Sequence, residues 1–220
     1  MSTLGHLTTG GSDGEPPVVL LHALGSSKRT WAAFTDRLPR PTLALDLPGH
    51  GTSPRTGDYT FTAMADAVLA FLDDHGEFDL VGHSLGGAVA MHVAMRAPGR
   101  VRRMVVEDIA PPPHEPVPIP DVPDQPAEPV EFDWAVVRAI KHLIRTPDPS
   151  WWAGLDTITA DTLWLAGGPA SHIDQDRLRD AASRMPSARV AEIPVGHRIH
   201  SEAPDEFAAA VVPFLTRAAP

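Results

Sequence analysis

The chain has 220 residues, of which 43% are apolar and none is cysteine, and its formal net charge is −10. This length predicts one domain with a sizeable core, and the lack of cysteine excludes disulfides and thiolate chemistry. The acidic balance argues against a nucleic-acid partner, and no apolar run approaches the length of a membrane span. Residues 1–17 are polar and glycine-rich and carry no basic and apolar leader, so we expect a cytoplasmic protein.

Short apolar runs alternate with amphipathic segments along most of the chain. The patterns predict strands at 17–22, 42–46, 78–82, 101–108, 161–166 and 188–193, and helices at 28–38, 60–75, 85–97, 174–184 and 203–217. Strands that alternate with helices in this way predict a parallel sheet covered on both faces.

The segment 111–160 interrupts this alternation. Residues 111–130 include nine prolines, which exclude a regular helix or a central strand. Helical spacing returns at 133–146. We therefore predict one core built from residues 1–110 and 161–220, with 111–160 inserted between two of its strands.

A glycine-flanked serine follows the third predicted strand. Residues 82–86 read Gly-His-Ser-Leu-Gly, the G-x-S-x-G pattern of a nucleophile elbow, with Ser84 at the apex. Side chains at Gly82 and Gly86 would collide with the neighbouring strand or helix, so glycine is required there. The alternative is a glycine-rich strand-to-helix turn with a solvent-exposed serine.

Further short motifs follow the other predicted strands, at residues 22–26, 46–53, 107–111 and 196–197. Together with the elbow, and in this order, they make the chain resemble the α/β-hydrolase superfamily, specifically its small lid-bearing serine esterase-like branch. The resemblance implies the α/β-hydrolase fold, with a mostly parallel central sheet, helices on both faces and a short lid at 111–160. It also implies the chain order Ser, Asp or Glu, His for the catalytic residues. Residues 46–53 suit a tight turn held by side-chain-to-backbone bonds rather than a catalytic role.

The resemblance assigns roles to particular residues. Ser84 is the candidate nucleophile, and His197, just after the last strand, is the candidate base. The backbone N–H groups of Leu24 and Leu85 are the candidate oxyanion hole. His200 is a competitor for the base, and the His197–His200 spacing also suggests a metal pair. That pair lacks an acidic third ligand, so we expect no metal.

The acidic member of the triad stays open between three residues. Most relatives carry it after the strand 161–166, near Ala170, where this chain has no carboxylate. Asp108, one strand earlier, is then the main candidate. Glu107 is its rival, because alternation along a strand sends neighbouring side chains to opposite sides, and Asp174 is a third alternative.

The insertion has an apolar helical face that needs burial, formed by Trp134, Val137, Ile140, Leu143 and Ile144 and followed by Trp151 and Trp152. We expect Trp134, Val137 and Trp151 to line the substrate cleft as part of a lid that favours apolar acyl or alcohol groups. The alternative is that they dock onto the core.

These observations predict a serine hydrolase that cleaves a carboxylic ester or thioester of a small molecule through an acyl-enzyme, without a cofactor. A triad-dependent carbon–carbon bond hydrolase or lyase is one alternative, and a non-catalytic ligand-binding module on a hydrolase fold is another. The sequence predicts neither the substrate nor the oligomeric state.

Overall fold

A computed structural model describes residues 3–10 and 14–217, so the outermost residues of the predicted core, 1–2 and 218–220, lie outside it, as do residues 11–13. The strands are β1 (His6–Thr9), β2 (Val18–Leu21), β3 (Thr42–Leu45), β4 (Phe78–His83), β5 (Val101–Glu107), β6 (Asp161–Ala166) and β7 (Ala188–Glu192). The α-helices are α1 (Ala32–Thr35), α2 (Phe61–Phe71), α3 (Leu85–Arg96), α4 (Ala135–Leu143), α5 (Pro149–Gly154), α6 (Gln175–Ser183), α7 (Ile199–Glu202) and α8 (Pro204–Thr216).

The strands form one seven-stranded sheet in the order β1-β3-β2-β4-β5-β6-β7. Every neighbouring pair is parallel except β1 with β3, which is antiparallel. The predicted mostly parallel sheet is thereby confirmed. The edge strand β1 was not predicted, because all four of its residues are exposed and show no apolar alternation.

The central strands are apolar on both sides because each face of the sheet carries its own core. In β2, Val19 and Leu21 join the cluster packed by α2 and α3, whereas Val18 and Leu20 join the cluster packed by α8. All four side chains are fully buried. This two-sided burial explains the near-continuous apolar runs from which the strands were predicted.

Hydrogen bonds connect the insertion to both the core and a neighbouring loop. The described residues 108–134 contain no helix or sheet strand, apart from an isolated bridge between Phe132 and His50. Asp133 N donates to Gly49 O at 2.7 Å, and the Tyr59 hydroxyl donates to the Asp133 carboxylate at 2.5 Å. These contacts hold the start of α4 beside the carboxyl end of β3.

Parallel strands bring all of the predicted motifs to one edge of the sheet. The loops that follow β2 to β7 leave the sheet at its carboxyl end, which is where open α/β sheets bind ligands. None of the helices in residues 3–10 and 14–217 combines the length and apolarity needed to cross a lipid bilayer.

Candidate active site

Ser84 lies at the tight turn between β4 and α3 with φ 51° and ψ −113°, a conformation that non-glycine residues rarely adopt. Its backbone N–H donates to the carbonyl oxygen of Glu107 at 2.9 Å, which fixes the turn to β5. A Cβ at Gly82 would overlap the backbone of Gly86, and one at Gly86 would overlap the backbone of Leu21. The steric reason predicted for the two glycines is therefore confirmed.

His197 is oriented by Asp108. The imidazole Nδ1–H donates to Asp108 Oδ2 at 2.8 Å, which leaves Nε2 free of a proton and able to accept one. Asp108 directly follows β5 and has φ 45°, and its own N–H donates to Leu165 O at 2.9 Å. The unusual backbone conformation turns the carboxylate out of the strand and across β6 toward His197.

The loop after β6 supplies donors to Asp108 instead of a carboxylate. Ser171 Oγ donates to Oδ2 at 2.5 Å, while Gln175 Nε2 and Gly167 N each donate to Oδ1 at 3.0 Å. Burial favours the neutral acid, but the hydrogen bonds from His197 and these three groups outweigh it and lower the pKa of Asp108. Ser171 and Gln175 were not predicted from the sequence, although Ser171 directly follows Ala170, near which most relatives carry the acid.

The other two acidic candidates bond elsewhere. Glu107 is fully buried and accepts hydrogen bonds from His200 N at 2.9 Å and from His200 Nδ1 at 2.8 Å. Asp174 caps α6 by accepting from Arg177 N at 3.0 Å. Of the three candidates, Asp108 is therefore the one that contacts His197.

His197 and His200 bond to different carboxylates, so they do not converge as the metal pair considered above. The residues that do converge are His83, Glu107 and His200, whose potential ligand atoms lie within 4.8 Å of one another. Several of their polar atoms are engaged within the protein: His83 Nε2–H donates to His197 O at 2.7 Å, and His200 Nε2 accepts from the Thr30 hydroxyl at 3.0 Å. These hydrogen bonds connect the ends of β4 and β5 to the residues that follow β7.

Two neutral imidazoles shape the loop that carries Leu24. His22 Nε2 accepts from Leu47 N at 3.0 Å, and His50 Nε2 accepts from Gly25 N at 3.1 Å. Burial is the main cause that lowers the pKa of His22, to about 3, and burial also lowers that of His50. Within the described ranges, the N–H groups of Leu24 and Leu85 form no intramolecular hydrogen bond, so both are available to an incoming oxygen.

A cavity of about 620 Å³ is lined by Ser84, His197, Leu24 and Leu85. The structure thus brings four predicted site residues to one space. His172, which the sequence analysis did not single out, also lines it and packs edge-to-face on His197 with ring centroids 4.3 Å apart.

Ile140 and Ile144 of the predicted apolar face line this cavity, whereas the three residues predicted as substrate contacts do not, which is a correction. The insertion contributes Ile140, Lys141, Ile144 and Arg145, and none of Trp134, Val137 and Trp151. Trp134 Nε1 donates to Pro123 O at 2.7 Å on the outer side.

Val137 and Trp151 are buried, and Trp151 faces a smaller neighbouring cavity of about 120 Å³. The predicted side chains miss the cavity because the start of α4 packs on the core, through residues such as Val136. The insertion reaches the cavity only through the last turn of α4 and the residues that directly follow it.

Comparison with known proteins identifies the family of this chain. A family model described as the alpha/beta hydrolase family matches residues 18–210. The chain belongs to this family. Its α/β-hydrolase fold, predicted from the order of the motifs, is thereby confirmed.

Relatives of this alpha/beta hydrolase carry the names of lipases. The mouse (Mus musculus) sn-1-specific diacylglycerol lipase ABHD11 is 29% identical over 248 residues, which cover 91% of this chain and 81% of that protein. Lipase LipV of Mycobacterium tuberculosis is 39% identical over 108 residues, which cover 48% of this chain and 41% of LipV.

A solved enol-lactonase from Burkholderia xenovorans LB400 has a TM-score of 0.82 at 22% identity, and the match covers 97% of this chain and 96% of that one. The named relatives support a hydrolase activity, and the solved structure supports the fold.

The buried histidines of this hydrolase predict acid sensitivity. Burial is the main cause that lowers the pKa of His22 from 6.5 to about 3 and that of His83 from 6.5 to about 4. Between pH 6.5 and these lower values, the two imidazoles bind protons in the unfolded chain but not in the folded chain. Their contribution to the free energy of unfolding is therefore complete above pH 6.5 and falls as the pH drops toward 4 and 3. Each group contributes at most about 1.4 kcal/mol per pH unit.

Urea unfolding as a function of pH measures this effect. The expected result is a free energy of unfolding that declines steadily as the pH falls below 6.5. The variant His142→Gln, which alters an exposed histidine of α4, is expected to leave the decline unchanged. A stability that is flat over this interval would contradict the assignment of neutral, buried imidazoles.

Proposed function

We propose that this alpha/beta hydrolase is a serine carboxylic-ester hydrolase that cleaves a carboxylic ester or thioester through an acyl-enzyme. The observation that carries the proposal is the hydrogen bond between His197 and Asp108, because His197 lines the same cavity as Ser84. A serine hydroxyl is a poor nucleophile unless a neighbouring base removes its proton, and His197 Nε2 is the base available.

In the proposed acylation step, Ser84 Oγ attacks the substrate carbonyl carbon while its proton passes to His197 Nε2. The carbonyl oxygen becomes negative and accepts hydrogen bonds from the N–H groups of Leu24 and Leu85 at the start of α3. The imidazolium then gives its proton to the departing alcohol or thiol, and the carbon–oxygen or carbon–sulfur bond breaks. The ionised Asp108 stabilises the imidazolium throughout.

Deacylation repeats the sequence with water as the nucleophile. His197 Nε2 takes a proton from water, the hydroxide attacks the acyl carbon, and the same N–H groups hold the oxyanion. The proton returns to Ser84 Oγ as the carboxylic acid leaves. No step requires a cofactor.

A pre-steady-state burst with an activated ester tests this proposal. We expect one equivalent of alcohol per active site in the burst, followed by slower turnover, because acylation by an activated ester outpaces hydrolysis of the acyl-enzyme. Parallel panels of esters and thioesters of increasing acyl length identify the preferred bond. Ligand binding without any released alcohol would instead indicate the non-catalytic module.

We also propose that residues 111–160 act as a lid over this site. Ile140 and Ile144 lie one turn apart on the side of the insertion that faces the cavity, and they support this role. Trp151, which is only 4% exposed, packs in the core instead.

The lid is tested by separating selectivity from stability. Ile144→Ala is expected to change KM and acyl-length preference with little loss of stability, because Ile144 is only half-buried. Trp151→Ala is expected to cost about 3–5 kcal/mol of unfolding free energy and to keep the wild-type selectivity. Trp134→Ala, on the outer side, is the control for both readouts. Wild-type selectivity in Ile144→Ala would remove the support for a lid.

A further inference from the structure

The cavity at Ser84 has a charge composition opposite to that of the whole chain. The chain carries 28 acidic and 18 basic residues. Among the described residues that line the cavity are Lys141, Arg145 and Arg198, and none of the lining residues is Asp or Glu. A cationic lining in an acidic protein attracts anions selectively to this space.

Two carboxylates lie at the end of β5, but neither lines the cavity. Glu107 and Asp108 are both fully buried, and each accepts its hydrogen bonds from the protein. Arg198 is exposed and already pairs with Glu202 at 2.8 Å. Lys141 and Arg145 are therefore the cations of the lining that remain available to a ligand.

Neither Lys141 nor Arg145 forms an ion pair with any carboxylate in residues 3–10 and 14–217, whereas Arg138 on the same helix pairs with Asp124 at 2.6 Å. Lys141 lies in the last turn of α4 and Arg145 in the turn that follows the helix, and both side chains line the cavity. Both are half-buried, which limits screening by water and raises the benefit of a bound anion.

The same wall of the cavity is also apolar. Ile140 and Ile144 lie beside the two cations, and Leu24 and Phe61 line the cavity as well. A ligand that contacts both the two cations and the apolar side chains has a hydrocarbon segment that ends in a negatively charged group. The apolar side chains of the insertion alone had predicted only a preference for apolar groups.

We infer that the preferred substrates are esters with an apolar chain that ends in a carboxylate, and that Lys141 and Arg145 bind this carboxylate while Ser84 attacks the ester. The inference rests on the proposed serine hydrolase function and names its substrate class. The hydrocarbon chain spans the space between the two ends, along Ile140 and Ile144.

Matched pairs of mono- and dimethyl esters of adipic, suberic and sebacic acids test this inference. The two members of each pair share the same chain and differ in the charge at the far end. We expect the monomethyl ester to have the higher kcat/KM for at least one chain length, by about tenfold, as one charge-assisted contact provides. Added salt is expected to reduce the preference, because it screens the charges.

Variants in α4 and directly after it identify the residues that cause the preference for the monomethyl ester. Lys141→Gln and Arg145→Gln are each expected to lower kcat/KM for the monomethyl ester by about threefold through KM, because the other cation remains, and to affect the dimethyl ester less. Lys141→Arg and Arg145→Lys keep the charge and are expected to retain most of the preference. Arg138→Gln, on the same helix but off this cavity, is expected to have no effect on either ester.

The three possible failures are distinguishable. Equal or faster hydrolysis of the dimethyl esters at every chain length, with Ser84 still labelled by a fluorophosphonate, would overturn the carboxylate preference and leave the serine hydrolase proposal standing. A monomethyl preference of undiminished, wild-type size in both glutamine variants would overturn the roles of Lys141 and Arg145. Absence of hydrolysis of any ester, with Ser84 unlabelled, would overturn the proposed function itself.

Discussion

Replacing Ser84 with alanine is expected to lower kcat for any ester substrate by about 10⁴-fold or more. The variant keeps the turn but removes the only oxygen that His197 can activate at the elbow, so no acyl-enzyme forms. The fold is expected to be retained, because the hydroxyl is replaced by hydrogen in a position where the backbone is held by the bond from Ser84 N to Glu107 O. Thermal unfolding and burst kinetics measure the two properties separately.

Labelling by a fluorophosphonate probe gives an independent readout of the same residue. The wild-type chain is expected to be labelled on the peptide that contains Ser84 and to lose activity in proportion. Ser201→Ala, which alters another serine of the cavity lining, is the matched control and is expected to behave as wild type. Full activity in Ser84→Ala, or labelling at Ser201, would remove the basis for the proposed mechanism.

Most strands of the sheet could be predicted, because strands buried on both faces appear in the sequence as nearly continuous apolar runs. The strands β2 to β7 all begin and end within one or two residues of the predicted ranges. The exposed edge strand β1 shows no such apolar run. It depends on pairing with β3, which is distant in the sequence.

The residues of the candidate site that belong to a motif or directly follow a strand could be predicted from the sequence. The contacts that depend on backbone conformation or on helix docking could not. The contact between His197 and Asp108 depends on the positive φ of Asp108, which the alternation rule does not anticipate, so Glu107 stayed a rival. The lining by Ile144 and Arg145 depends on how α4 docks against the core, and helical periodicity cannot give that orientation.

The two adjacent carboxylates at the end of β5 have separate tasks in this structure. Asp108 contacts His197, whereas Glu107 receives two hydrogen bonds from His200 and so fixes the backbone that follows His197. Burial alone would raise the pKa of Glu107, but His83 and His200 outweigh it and lower the pKa. Both carboxylates are therefore ionised at neutral pH, and the same isosteric change at each separates their contributions.

Asp108→Asn is expected to lower kcat by about 10³–10⁴-fold while the chain still folds. The new amide oxygen can replace Oδ1 and accept from Gly167 N and Gln175 Nε2. Its NH₂ group then takes the position of Oδ2, where it faces His197 Nδ1 as a donor. His197 must carry its proton on Nε2 instead, and in that tautomer it cannot accept the proton of Ser84.

Glu107→Gln is the matched comparison, because it makes the same change one residue earlier. Its NH₂ group takes the place of Oε2, where it faces the Nδ1–H of His200 as a second donor, so we expect a loss of about 1–3 kcal/mol in unfolding free energy. The effect on kcat is expected to be far smaller than that of Asp108→Asn, because the bond between His197 and Asp108 remains. The reverse result, with kcat lost in Glu107→Gln and retained in Asp108→Asn, would transfer the catalytic role to Glu107. Loss of kcat in neither variant would leave His197 without an acidic partner and the proposed triad without its third member.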